Sequence, residues 1–181
     1  MYTRRDFVRM AAGALVAGVA GNRLHARETL IGGVRVGAIS YCFRSIPRPA
    51  AGDYMDTLID AFKSVYAYMD KQGLKRTGPS MTIYTQADDT GFQFQAAVPI
   101  EAAPKDAPKG DIETGTSPGG RALKFVHRGS YDSMDTTYEA ITNYLDEKRL
   151  EAQDLFVEEY ATDPVTTPED KFVVTVYVPI K

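Results

Sequence analysis

One short stretch occurs twice in this chain, and it restricts the possible folds more than any other feature. Asp56-Thr57-Leu58-Ile59-Asp60-Ala61-Phe62 matches Asp135-Thr136-Thr137-Tyr138-Glu139-Ala140-Ile141. Self-similarity of this kind marks a structural unit used more than once. Both copies open helices. Met55, Leu58, Ile59, Phe62, Val65, Tyr66 and Met69 fall at three- and four-residue steps, as do Met134, Tyr138, Ile141 and Leu145. Each helix therefore carries one apolar stripe that must be buried.

Two strand-like runs follow each helix: Met81–Thr85 and Phe92–Ile100 after the first, Leu155–Thr162 and Phe172–Ile180 after the second. In Phe92–Ile100 the residues Phe92, Phe94, Ala96 and Val98 alternate with Gln93, Gln95 and Ala97, the period of a strand. Both pairs end alike, in Val98-Pro99-Ile100 and Val178-Pro179-Ile180, and proline suits a strand end because it cannot donate to a continuing ladder. Arg121–Arg128 reads as a further strand before the second helix. A striped helix needs a sheet to cover. The expected fold is α+β: two pseudo-symmetric strand–helix–strand–strand repeats forming a curved antiparallel sheet with two helices packed on it. Glu101–Gly119, rich in Pro, Lys, Asp and Gly, reads as an exposed linker or flap between the units.

The first unit fits this scheme less well. The helix offset of 79 carries Gly120 back to Tyr41, yet Pro47 and Pro49 disfavour a central strand there. The best strand nearby is Val34–Phe43, several residues early. Residues 27–55 are thus a segment of open packing that supplies the first strand if a loop through Ser45–Asp53 reconnects it. Val36-Gly37-Ala38-Ile39-Ser40-Tyr41-Cys42-Phe43-Arg44, within residues 33–48, resembles the opening of exported sugar-phosphate isomerase/epimerase-like TIM barrels. That resemblance implies a junction of unrelated segments near residues 50–58. A barrel needs ~250 residues, more than this chain has.

The N-terminus reads as a targeting segment. Thr3-Arg4-Arg5-Asp6-Phe7-Val8 precedes an apolar run from Met10 to Gly21, too short for a bilayer span of ~20 residues but right for a signal peptide. The arginine pair with Phe7 resembles a twin-arginine (Tat) signal, which implies the twin-arginine translocase as a transient partner and a periplasmic location. Leu24-His25-Ala26 is a passable cleavage site, giving residues 1–26 as the signal and no lasting membrane anchor. Its loss leaves 17 basic and 23 acidic residues, a net charge of −6, against −3 for the whole chain. No basic face advertises nucleic-acid binding. Cys42 is the lone cysteine, which excludes an internal disulfide, and with only His25 and His127 no metal site or cofactor is expected.

From about Asp56 to Lys181 the chain resembles the GyrI-like (AraC-type effector-binding) family. Besides the doubled unit, the resemblance rests on Gly120–Tyr131, on Glu158-Glu159-Tyr160-Ala161-Thr162-Asp163-Pro164 and on the closing Tyr177-Val178-Pro179-Ile180. It implies a groove between the repeats that binds small hydrophobic or cationic molecules, with a glutamate facing the ligand's charge. By motif position that glutamate is Glu158.

Strand alternation puts Phe156, Glu158 and Tyr160 on one face and Val157, Glu159 and Ala161 on the other, so one acid points inward and one outward. An inward acid among aromatic rings is costly unless partnered, and a cationic ligand would offset that cost. Aligning Tyr84 with Tyr160 puts Thr82 in the place of Glu158, which gives a site with one acid rather than two. The expected ligand-binding residues are Glu158, Tyr160, Tyr131, Phe156, Tyr84 and Phe94, with core packing the competing role for Phe94 and a strand-end surface or packing role for His127. If the chain is an enzyme, it is a hydrolase with Glu158 positioning or deprotonating water. A single acid without a nearby base or nucleophile favours binding over catalysis.

Overall fold

The computed structural model describes residues 27–31, 35–39, 51–88, 91–163 and 166–181. In chain order the elements are β1 (Arg27–Ile31), β2 (Arg35–Ile39), α1 (Ala51–Gln72), β3 (Ser80–Asp88), β4 (Gly91–Pro99), β5 (Ile112–Thr116), β6 (Gly120–Arg128), α2 (Met134–Lys148), β7 (Phe156–Tyr160) and β8 (Val173–Pro179). The strands form one eight-stranded sheet in the order β1-β6-β8-β7-β3-β4-β2-β5. Every described neighbour pair is antiparallel.

Both predicted stripes face this sheet. Leu58, Ala61, Phe62, Val65 and Met69 of α1, and Met134, Tyr138, Ile141 and Leu145 of α2, are buried in one cluster with Phe94, Val98, Phe125 and Val176. Burying each large apolar side chain contributes about 1.5–3 kcal/mol, so the stripes are what hold the helices down. The helices end alike. Gly73 (φ 65) and Arg149 (φ 53) both adopt the left-handed conformation. Leu74 N–H donates to Met69 O and Leu150 N–H to Leu145 O, each at 2.9 Å, the long bond of a Schellman cap.

The prolines close their strands as the sequence suggests. β4 ends at Pro99 and β8 at Pro179, whose carbonyls accept from Thr77 and Gln153 N–H, each at 2.9 Å. β3 and β7 meet at the middle of the sheet, with Ser80 opposite Tyr160, Thr82 opposite Glu158 and Tyr84 opposite Phe156.

Two strands depart from the sequence expectations. β5 lies inside the stretch read as linker or flap and pairs with β2 along Ile112–Thr116. Its exposed threonines and Ile112 suit a sheet margin, but the surrounding Pro and Gly hide so short a strand. β1 pairs with β6, a strand the periodicity does not predict. Of the expected strand Val34–Phe43, Arg35–Ile39 pairs with β4 from Val36 opposite Pro99 to Ile39 opposite Ala96. Tyr41, Cys42 and Phe43 lie outside the described residues, as does the signal segment 1–26. No described helix is long and apolar enough to cross a membrane.

Candidate functional site

The central strand pair carries the site. Pleat alternation turns Phe156, Glu158 and Tyr160 of β7 toward the helices, where all three are buried. Glu158 is 0 % exposed. Glu159 is half-buried on the opposite side, 3.4 Å from the Tyr177 hydroxyl that donates to it. The two adjacent acids therefore serve different faces of the sheet.

Four tyrosine hydroxyls converge on the buried carboxylate. Tyr138 of α2 donates to Oε1 at 2.7 Å. Tyr131 (2.7 Å), Tyr160 (3.0 Å) and Tyr84 (3.2 Å) donate to Oε2. An ionised carboxylate accepts and does not donate, so four phenolic donors match it. Burying such a charge costs several kcal/mol. Hydrogen bonds to a charged group contribute about 1.5–3 kcal/mol each, so four of them are of the size needed to offset that cost. Thr82 adds a further link: its Oγ1 lies 2.8 Å from the Tyr160 hydroxyl. Because Tyr160 spends its only proton on Glu158, Thr82 is the donor, and the two bonds reinforce each other.

The rings behind these hydroxyls are fixed by one another. Phe156 stacks on Tyr84 (centroids 4.4 Å apart, 14° between planes) and meets Tyr138 edge-on at 5.3 Å. Phe62 of α1 meets Tyr160 edge-on at 5.8 Å. Phe94 packs against Tyr84 at 6.4 Å within the main core.

Tyr131 comes from a different kind of element. It opens a 3-10 turn, Tyr131–Ser133, between β6 and α2, and is half-buried. His127 pins that turn. Its Nε2 lies 3.0 Å from the Ser130 carbonyl and its Nδ1 2.7 Å from Thr137 Oγ1. A carbonyl only accepts, so Nε2 carries a proton and donates. The surface role open to His127 in sequence is excluded, since it is 4 % exposed and bonded on both nitrogens.

A narrow apolar cleft reaches this assembly between α1 and the sheet. Leu58, Ile59 and Phe62 form one wall, Phe172, Val174 and Thr162 the other, and Tyr131 and Tyr160, whose hydroxyls donate to Glu158, also line it. Its free interior volume is about 20 Å³.

The sequence-predicted residues thus separate into roles. Glu158, Tyr160, Tyr131 and Tyr84 come together around one carboxylate. Phe156 supports Tyr84, and Tyr138 of α2, from behind. Phe94 is buried in the main core against Tyr84. Tyr138 is a site residue that sequence reasoning leaves in an apolar stripe. The available signal is that a tyrosine at a core position needs a partner for its hydroxyl. Among the described residues no group of His, Cys, Asp and Glu is placed to hold a metal ion.

Comparison with known proteins gives this geometry a context. No curated protein matches the chain. Among solved structures, the chain is similar to the EcmrR C-terminal domain, with TM-score 0.69, 15 % identity, and 87 % of this chain and 98 % of that chain covered. It is likewise similar to EcmrR in a complex with DNA (TM-score 0.70, 16 % identity), where 87 % of this chain spans 57 % of that longer chain. A third similar structure is SAV2435 bound to tetraphenylphosphonium, with TM-score 0.62, 12 % identity, and coverage of 87 % and 94 %. A fourth, described as a hydrolase from Listeria innocua, has TM-score 0.54, 12 % identity, and coverage of 86 % and 91 %. Likeness at these identities establishes the fold. The model of the GyrI-like small molecule binding domain matches residues 51–181, and the chain belongs to that family.

Proposed function

We propose that this protein binds small, hydrophobic, cationic molecules in the cleft beside Glu158, which anchors their positive charge. The observation that carries this reading is the Glu158 carboxylate, 0 % exposed and held by four tyrosine hydroxyls, two of whose rings line an apolar cleft. Aromatic walls attract a cation by about 0.5–2 kcal/mol beyond the charge itself. The likeness to a structure holding tetraphenylphosphonium supports the same ligand class.

The cleft has room for roughly one water. Drug-sized ligands occupy pockets of ~300–1,000 Å³. Binding therefore displaces a wall, and the movable wall is the α1 face of Leu58, Ile59 and Phe62 or the turn bearing Tyr131. A hydrolytic role for Glu158 is the weaker reading. Its Oε2 already accepts three hydroxyls, and an oxygen so occupied is poorly set to take a proton from water.

Calorimetry with tetraphenylphosphonium tests the anchor. Wild type binds with a thermal shift, and Glu158→Gln loses at least about tenfold in affinity, the effect of removing one buried charge partner. Equal affinity of the two proteins would remove the anchor role. We also propose that residues 1–26 direct export by the twin-arginine pathway to the periplasm. Replacing Arg4 and Arg5 by lysine then leaves the protein in the cytoplasmic fraction.

A further inference from the structure

A second depression lies against the same tyrosine. It encloses about 320 Å³ and is lined by Tyr66, Arg76, Ser80, Tyr160, Thr162 and Asp163, among others. Tyr160 and Thr162 line both this groove and the apolar cleft, so the two spaces share a wall. Their chemistry differs. The groove presents hydroxyls and charges where the cleft presents hydrocarbon. Ser80 is buried and lies 2.6 Å from the Tyr66 hydroxyl.

Register fixes the spacing of the two spaces. Ser80 stands opposite Tyr160 and Thr82 opposite Glu158. The groove thus begins one strand repeat, roughly 7 Å, from the carboxylate. Its charge is also informative. Asp163 has an interaction of its own. Among the described residues, no carboxylate lies within ion-pair distance of Arg76. The groove therefore offers, beside hydroxyl groups and the Asp163 carboxylate, a guanidinium that has no ion-pair partner among the described residues and can receive a carboxylate.

We propose that cleft and groove form one bipartite site whose ligand is a zwitterionic amphiphile, an apolar cation with a carboxylate on an arm long enough to reach Arg76. The inference rests on the reading of Glu158 as cation anchor. The ring of Tyr160 divides the ligand, with the cationic body on the Glu158 side and the anionic end on the Arg76 side. A short arm leaves its carboxylate beside Glu158, where like charges repel.

The test compares triphenylphosphonium probes by calorimetry on the full chain. Carboxypentyl-triphenylphosphonium is expected to bind about two- to fivefold tighter than its own methyl ester, the scale of a solvent-screened ion pair. That preference disappears in Arg76→Ala and survives in Lys75→Ala, which removes an equal charge one residue away. Carboxymethyl-triphenylphosphonium shows the reverse preference, for the ester. Equal binding of long acid and ester, or a preference that survives Arg76→Ala, overturns the bipartite site. If methyl-triphenylphosphonium binds and needs Glu158 while the acid gains nothing, only the bipartite site fails. If no phosphonium binds wild type, the anchor reading fails and takes this one with it.

Discussion

The Tyr138 hydroxyl of α2 donates to Oε1 of Glu158 on β7 at 2.7 Å, which ties the helix layer to the sheet at the centre of the site. Both side chains are buried, at 1 % and 0 % exposure. Tyr138→Phe keeps the ring and deletes one donor to a charged acceptor. It is expected to cost about 1–3 kcal/mol in unfolding free energy, measured by urea denaturation. Tyr131→Phe removes a similar bond from a half-buried turn, so it costs less stability and shows chiefly in cation affinity. Equal losses of stability in the two variants would mean that the turn is part of the rigid framework.

Ile59 forms part of the α1 wall and is half-buried. Ile59→Ala trims that wall where the surrounding core is thin, so its cost falls below the ~2–5 kcal/mol of a fully buried Ile→Ala change. Under the proposed function, the enlarged cleft is expected to admit bulky cations more readily. Stopped-flow fluorescence is expected to show faster association with tetraphenylphosphonium, and an unchanged rate would show that entry runs elsewhere.

The paired helix caps make opposite predictions. Gly73 holds φ 65 at no steric cost, and an added Cβ meets nothing within 4 Å, so the penalty of Gly73→Ala is purely the backbone's. It is expected to destabilise by about 1 kcal/mol. Arg149 pays that penalty already at φ 53. Arg149→Gly should stabilise by about 0.5 kcal/mol, since glycine's extra freedom in the unfolded chain cancels part of the gain. Thermal denaturation of the two variants reads both signs.

On the far face of the sheet, burial and then the neighbouring Glu159 push the Tyr177 phenol up to about 12. Folding thus favours the neutral phenol. Its contribution to stability is complete below the ordinary tyrosine value near 10 and is lost as pH climbs from about 10 to about 12. Glu159→Gln removes the repelling charge and is expected to move one tyrosinate absorbance transition to lower pH. A titration identical to wild type would show that the carboxylate plays no part.

The stripes, the closing prolines and the inward turn of Glu158 were legible because each follows from a single period or a single residue's chemistry. Val98-Pro99 and Val178-Pro179 end strands wherever the chain places them. The helix match was less exact. Asp56 and Asp135 stand 79 residues apart in sequence, whereas the cap residues Gly73 and Arg149 stand 76 apart, as do Thr82 and Glu158. What periodicity could not supply was convergence, which the family resemblance anticipates for Glu158, Tyr160, Tyr131 and Tyr84 but not for Tyr138. Tyr84, Tyr131, Tyr138 and Tyr160 reach one carboxylate from two strands, a turn and a helix, and no local pattern encodes that meeting. β5 was hidden for a related reason: a five-residue margin strand is stabilised by its partner β2 rather than by its own composition.

Thr82 sits directly across the ladder from Glu158. The two middle strands therefore present unlike groups, a hydroxyl and a carboxylate, at matching depths. The centre of the sheet is therefore chemically lopsided: a carboxylate that draws in several hydroxyls faces a threonine that offers a single one.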